Sequence, residues 1–84
     1  MSDRIFLYAL STCSHCKRTR QLLDDYHVDY DYLYVDLCEG EARSQAIAEV
    51  KEYNPNCTFP TLVVGDKIVI GYKEQEIKEA LGIK

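Results

Sequence analysis

Two cysteines, Cys13 and Cys16, are the residues whose types and spacing most directly suggest chemistry. They follow an apolar run, Ile5 to Leu10, and open a segment with helical periodicity that starts at about Ser14. A Cys-x-x-Cys pair between a strand and a helix is typical of a thiol–disulfide redox site. The unpaired N–H groups and the helix dipole favour a thiolate on Cys13, and Cys16, one turn further in, is predicted to resolve the mixed disulfide.

Two other interpretations of this pair remain open. A metal-binding module, holding zinc or an iron–sulfur cluster, would need further ligands from Cys38, Cys57 or a histidine. Structural zinc sites usually bring a second close-spaced pair, whereas these two cysteines stand apart in the sequence. Two inert core cysteines are also conceivable, but Cys13 lies at a turn rather than inside an element. The redox pair is therefore the prediction, and the metal-binding module is its alternative.

A second feature, Phe59-Pro60-Thr61, heads an apolar stretch. Proline cannot donate to a β-ladder, so it belongs at the start of a strand. A cis bond between Phe59 and Pro60 would turn the backbone of Phe59 toward the cysteines. Its N–H and C=O groups would then be able to pair with an extended thiol substrate in β fashion.

The remaining patterns supply the elements that must position these residues. Helical periodicity covers Ser14–Asp25 and marks Cys16, Leu22 and Leu23 as buried. The other predicted elements are strands over Ile5–Leu10, Val28–Leu37, Thr61–Val64 and Lys67–Ile70, and helices over Glu39–Tyr53 and Glu74–Leu81, the last capped by Gly82. This order, β-α-β-α-β-β-α, predicts an α/β fold with a four-stranded mixed sheet and helices on both faces.

Composition limits the function classes. The 84 residues form one small domain, 1–84, and the formal net charge of −4 argues against nucleic-acid partners and anionic membranes. No apolar stretch has the length of a signal peptide or a membrane span. We therefore expect a cytoplasmic protein, in which the thiols stay reduced.

The element order and the motifs together resemble the glutaredoxin branch of the thioredoxin superfamily. The resemblance covers nearly the whole chain and implies a dithiol oxidoreductase that reduces protein disulfides or glutathione mixed disulfides, with Cys13 as nucleophile and Cys16 as resolving thiol. It implies a monomer with no bound cofactor or metal. The substrate-binding residues that it implies are Tyr8, Thr12, Thr58, Phe59, Pro60, Gly71 and Tyr72.

The departures from the family pattern concern the reductant. Leu10 occupies the position at which similar, glutathione-using members of the family have a lysine. Tyr72 occupies the position at which they have a second glycine, which two acidic residues follow. In this region the chain is similar to glutaredoxin-like redoxins that are reduced by thioredoxin reductase. Glutathione and a thioredoxin-reductase-type enzyme both remain open as electron donors. Cys38 and Cys57 are expected at the same sheet edge as the pair, either as small buried side chains or as a second redox-active pair.

Overall fold

The structure, a computed structural model, describes residues 4–82. Its elements, in chain order, are β1 (Ile5–Ala9), α1 (Ser14–Asp25), β2 (Asp31–Tyr34), a 3-10 helix (Val35–Leu37), α2 (Gly40–Tyr53), β3 (Thr61–Val64), β4 (Lys67–Ile70) and α3 (Glu74–Leu81). The element order predicted from the sequence is confirmed. In this described part of the chain, none of the helices has the length and apolar character that crossing a bilayer requires.

The four strands form one mixed sheet in the order β2-β1-β3-β4. Strand β1 pairs in parallel with β2, with Leu7 opposite Tyr32, and antiparallel with β3, with Leu7 opposite Leu62. Strand β4 returns antiparallel to β3, with Val69 opposite Leu62. The predicted parallel pair joined to an antiparallel hairpin is therefore confirmed.

The sheet separates two cores because successive side chains of a strand point to opposite faces. On one face, α1 and α3 cover the first core, which comprises Leu7, Ala9, Cys16, Leu22, Leu23, Leu62, Val64, Val69 and Ile77. On the other, α2 covers the second core, which comprises Tyr8, Val35, Ala46, Val50 and Val63. Cys16 thus belongs to the first core.

Strand β2 is tied to α1 by one arginine. Arg20 of α1 places its guanidinium 3.9 Å from the ring centroid of Tyr32 and donates hydrogen bonds to the hydroxyls of Tyr30 and Tyr34. Tyr30, Tyr32 and Tyr34 therefore all face Arg20. These cation–π and hydrogen-bonding contacts fix the outer strand against the helix that carries Cys16.

The second strand ends earlier than the sequence predicted. The alternation over Val28–Leu37 was expected to continue as a strand, but Val35–Leu37 instead form a turn of 3-10 helix. Val35 enters the second core, Leu37 is 65% exposed, and the Cys38 N–H closes the turn on the Val35 carbonyl at 3.2 Å. The turn brings Asp36 to the loop that precedes the cysteine pair.

Candidate active site

Cys13 occupies the N-cap position of α1. Its backbone is extended (φ −84°, ψ 122°), and its carbonyl accepts the Lys17 N–H at 3.1 Å, which is the first bond of the helix. Burial of the sulfur raises the pKa of Cys13. Hydrogen bonding from the N–H and thiol of Cys16 and from the N–H of His15 lowers it by more than burial raises it. The net pKa of Cys13 lies below its ordinary value, because the start of the helix offers free donors to a thiolate.

Cys16 lies one turn into α1 and has the opposite character. It is 1% exposed within the first core, and this burial raises its pKa to about 12 against a lowering hydrogen bond from the Leu10 N–H. That N–H lies 3.4 Å from the sulfur. The pair therefore combines a sulfur whose pKa is lowered, Cys13, with a buried thiol whose pKa is raised, Cys16. This contrast is the one expected of a nucleophile and a resolving thiol, and the two roles stay predictions.

The loop before Cys13 is fastened to Asp36. The Ser11 N–H donates to one carboxylate oxygen of Asp36 at 2.9 Å, and the Ser11 hydroxyl donates to the other at 2.5 Å. These two bonds hold the pKa of Asp36 below its usual range. Thr12, which the resemblance placed at the site, is exposed at the tip of this loop, next to Cys13. Sequence reasoning did not single out Asp36, because it assigned this residue to a strand.

The peptide bond between Phe59 and Pro60 is cis, as predicted. Phe59 is half-buried and packs against both cores, and Cys13 packs against the first of them. The carbonyl of Thr58 already accepts two hydrogen bonds, from the Asn54 side chain at 3.1 Å and from the Thr61 hydroxyl at 2.7 Å. The Thr58 carbonyl, next to Phe59 in the chain, is therefore already bonded within the protein.

Asn54 directly follows α2 and organises the segment that leads to the cis proline. Its side chain is 1% exposed and also donates to the hydroxyls of Thr58 at 2.8 Å and Thr61 at 3.3 Å. Its own side-chain oxygen accepts the Asn56 N–H at 3.2 Å. A buried asparagine satisfied in this way fixes a loop much as a backbone ladder would.

Gly71 and Tyr72 lie beside the cis proline on the other side. The Gly71 N–H donates to the Pro60 carbonyl at 2.8 Å, and its φ of 85° is a conformation that glycine adopts without strain. Tyr72 is half-buried and packs against the first core, the same core that Cys13 and Phe59 contact. Thr12 directly precedes Cys13 in the chain, and Gly71 is hydrogen-bonded to Pro60. That these residues form one substrate site with the cysteine pair stays a prediction.

Tyr8, which was expected to flank the cysteines, lies instead on the opposite face of the sheet. The residues on either side of it in β1, Leu7 and Ala9, point into the first core, so Tyr8 points into the second. It is 6% exposed, its hydroxyl donates to Glu49 at 3.2 Å, and burial together with Glu49 raises its pKa to about 12. Tyr8 lines a separate cleft of about 470 Å³ with Arg4, Phe6, Glu49, Glu52, Tyr53, Val63 and Gly65.

The other two cysteines are free and half-buried. The Cys38 thiol donates to the Tyr34 carbonyl at 3.6 Å, and Cys57 packs against the second core in the left-handed region, at φ 52°. Within residues 4–82, the structure gathers no group of three or more histidine, cysteine or acidic side chains that could hold a metal ion. The metal-binding alternative stays a prediction for metal analysis of anaerobically purified protein.

Comparisons with known proteins point in one direction. A family model described as Glutaredoxin matches residues 5–69. The chain is similar to the methanoredoxin of Methanosarcina acetivorans (47% identity over 95% of this chain and 85% of that chain, TM-score 0.91) and to the glutaredoxin of Methanosarcina mazei Go1 (46% identity, 95% and 79%, TM-score 0.89). It is also 35% identical over 66 residues to glutathione S-transferase Z2 of Arabidopsis thaliana, covering 79% of this chain and 27% of that protein. The chain thus spans about a quarter of the length of that curated relative.

Proposed function

The chain belongs to the glutaredoxin family, and from this premise we propose that it is a dithiol oxidoreductase that reduces disulfide bonds of protein substrates, including mixed disulfides with glutathione. The observation that carries the proposal is the cysteine pair at the start of α1. Cys13 is the N-cap residue and its pKa is lowered, and Cys16 lies within the first turn of the helix as a thiol. The thiolate is the reactive form of a cysteine in exchange chemistry, so Cys13 is the nucleophile.

In the first step, the Cys13 thiolate attacks one sulfur of the substrate disulfide. A bond forms between Cys13 and that sulfur, the substrate S–S bond breaks, and the second substrate sulfur leaves as a thiolate that takes a proton from water. The N–H groups of His15 and Cys16 stabilise the attacking thiolate. A lower nucleophile pKa also makes Cys13 a better leaving group when it is later displaced.

In the second step, Cys16 loses its proton and attacks the sulfur of Cys13. The Cys13–Cys16 disulfide forms, and the remaining substrate sulfur leaves and takes up the proton. Two electrons have then passed from the enzyme dithiol to the substrate. Burial keeps Cys16 out of reach of the substrate disulfide until the mixed disulfide on Cys13 presents its sulfur within one helical turn.

Substrate recognition is assigned to the backbone of Phe59, with Thr12 and Tyr72 on either side. We expect an extended peptide that pairs with the backbone of Phe59 to present its cysteine to Cys13, which packs on the first core as Phe59 does. Thr58 helps to fix the backbone that precedes Phe59, because its carbonyl accepts hydrogen bonds from the side chains of Asn54 and Thr61. Protein disulfides presented on exposed, extended segments are the substrate class that fits this arrangement.

The oxidised pair is returned to the dithiol by glutathione or by a thioredoxin-reductase-type enzyme. Two features speak for a weak glutathione site. Leu10 offers no cation for a glutathione carboxylate. At the start of α3 the charged side chains form ion pairs with one another, Lys73 with Glu76 at 3.5 Å and Glu74 with Lys78 at 3.7 Å. Turnover measured separately with glutathione plus glutathione reductase and with NADPH plus thioredoxin reductase distinguishes the two donors.

The activity is tested with insulin reduction by wild type and two variants. Cys13→Ser should abolish turnover, because the other sulfur of the pair, Cys16, is buried and its pKa is raised to about 12. Cys16→Ser should still attack a disulfide and should accumulate a mixed disulfide with the substrate, detectable by mass spectrometry. Full activity in Cys13→Ser would disprove the proposal.

A further inference from the structure

The turn from Leu10 to Cys13 is bonded to both catalytic cysteines. The Cys13 N–H donates to the Leu10 carbonyl at 3.2 Å and closes the turn. The N–H of the same residue, Leu10, donates to the sulfur of Cys16 at 3.4 Å. The orientation of this turn therefore decides whether Cys16 has a backbone donor aimed at its sulfur.

A single carboxylate holds the middle of that turn. Asp36 lies 25 residues further along the chain and receives both the N–H and the hydroxyl of Ser11, at 2.9 and 2.5 Å. Two bonds to two oxygens of one carboxylate fix orientation as well as position, and bonds to a charged acceptor are among the stronger ones in proteins. The catalytic turn is thereby fastened to the 3-10 helix that follows β2.

We propose that Asp36 is a positioning residue for the resolving step: by holding Ser11, it keeps the Leu10 N–H on the sulfur of Cys16 while that sulfur becomes a thiolate. This inference rests on the proposed function. In the step concerned, the Cys16 thiolate attacks the Cys13 sulfur of the mixed disulfide, the Cys13–Cys16 bond forms, the bond to the substrate sulfur breaks, and the substrate thiolate takes a proton. The Leu10 N–H stabilises the negative charge that Cys16 carries at the start of the attack.

Asp36 also acts on Cys16 through its charge, and that effect has the opposite sign. The negative carboxylate repels a thiolate and contributes to the raised pKa of Cys16. If charge were all that mattered, removing the carboxylate would make Cys16 easier to ionise and would speed resolution. If positioning matters more, removal slows resolution. The sign of the change therefore separates the two roles.

The experiment follows the two thiolate releases from dithiobis(nitrobenzoate) by stopped-flow absorbance. The first release reports attack by Cys13 and depends on reagent concentration, whereas the second reports resolution by Cys16 and does not. Cys16→Ser defines how much of the second release belongs to Cys16. The variants compared are Asp36→Ala, Asp36→Asn, which retains one acceptor oxygen without the charge, and Ser11→Ala, with Asp31→Asn as the control at an exposed aspartate of β2.

We expect Asp36→Ala to slow the second release about tenfold while the first stays within about twofold of wild type, as small losses of alignment do in intramolecular steps. Asp36→Asn should recover most of the rate, and Asp31→Asn should match wild type. In the Ser11→Ala background, Asp36→Ala should slow resolution less than it does alone, because the two residues share an interaction.

A second release in Asp36→Ala that is unchanged or faster than in wild type would overturn the inference, as would an equal slowing of both releases. Urea unfolding of each variant ensures that only folded protein is compared, and Asp36→Asn together with Ser11→Ala carries the test if Asp36→Ala does not fold. If wild type shows no more of the first release than Cys13→Ser does, the proposed function itself has failed.

Discussion

Cys13 is the N-cap of α1 and Cys16 is the third residue of that helix, and the backbone N–H and thiol of Cys16 help to lower the pKa of Cys13. The same residue that later displaces substrate from Cys13 thus first stabilises the Cys13 thiolate. The thiol can do so only while it is protonated, which burial ensures by raising its pKa to about 12. Hydrogen bonding from Cys16 thus helps to lower the pKa of Cys13, and burial one turn into α1 raises the pKa of Cys16.

Alkylation by iodoacetamide should distinguish the two sulfurs by pH. Because the pKa of Cys13 is lowered, its reaction rate should rise with pH at values below those of an ordinary cysteine, whereas Cys16 should stay unmodified until strongly alkaline pH. Peptide mapping by mass spectrometry measures both. In Cys16→Ala the midpoint for Cys13 should move upward, and in Cys16→Ser, which keeps an O–H donor, it should move less. Equal midpoints for the two cysteines in wild type would contradict this assignment.

Leu10→Lys should improve turnover with glutathione. The substitution supplies the cation that glutathione-using family members have at this position, and an exposed ion pair to a carboxylate contributes about 0.5–1 kcal/mol. We expect kcat/KM for glutathione to increase about two- to fivefold, mainly through a lower KM.

Leu10→Met is the matched control, because it retains an apolar side chain of similar size against the second core. Turnover coupled through glutathione reductase measures both variants. If Leu10→Lys leaves KM for glutathione unchanged at low ionic strength, the loss of a cation at this position does not explain a weak glutathione site.

Most of the fold could be predicted from local sequence patterns. Helical periodicity predicted α1 over Ser14–Asp25, the bounds the structure has, and Gly82 ends α3 in the left-handed conformation, at φ 74°. The end of β2 did not follow from the sequence, because Val35 and Leu37 keep the alternation of a strand whether or not a strand partner is present. The structure ends the strand where Asp36 bonds to Ser11, a contact between residues far apart in the chain.

The site was predictable to the same extent. The Cys13–Cys16 pair and the Phe59-Pro60 dipeptide are short sequence motifs, so both could be recognised from neighbouring residues alone. Tyr8 was misplaced because an unbroken apolar run, typical of a strand buried on both faces, does not tell which residues share a face with the cysteines. The roles of Asp36 and Asn54 depend on tertiary hydrogen bonds, for which the sequence gives no periodic signal.

Protein stability should fall in alkaline solution through Tyr8. Its pKa is about 12 in the folded protein against an ordinary value of 10.0, because burial and the nearby Glu49 oppose the phenolate. The contribution is fully present below the unfolded-state pKa and is lost as pH rises from 10 toward 12, since the unfolded chain then releases the proton more readily.

Urea unfolding of wild type and Tyr8→Phe across this pH range measures the effect. The difference between their free energies of unfolding should change by up to about 2 kcal/mol between the two ends. Tyr32→Phe is the control, because Tyr32 is an exposed tyrosine of β2. Parallel pH profiles for wild type and Tyr8→Phe would show that the Tyr8 hydroxyl does not titrate with folding.

Asn54→Ala should destabilise the protein and weaken substrate binding together. The substitution removes the buried amide that donates to the Thr58 carbonyl and to two hydroxyls, and each hydrogen bond lost in this way costs about 1 kcal/mol. The segment before the cis proline then loses its fixed position relative to Phe59, so KM for a protein disulfide should rise more than kcat falls.

Asn56→Ala is the matched control, because the exposed Asn56 contributes its backbone N–H, which alanine keeps. Its free energy of unfolding should stay within about 0.5 kcal/mol of wild type. Urea unfolding and insulin reduction measure both variants. An Asn54→Ala protein that is destabilised yet keeps the wild-type KM would show that the amide network supports the fold without positioning Phe59, since loss of positioning must appear in KM.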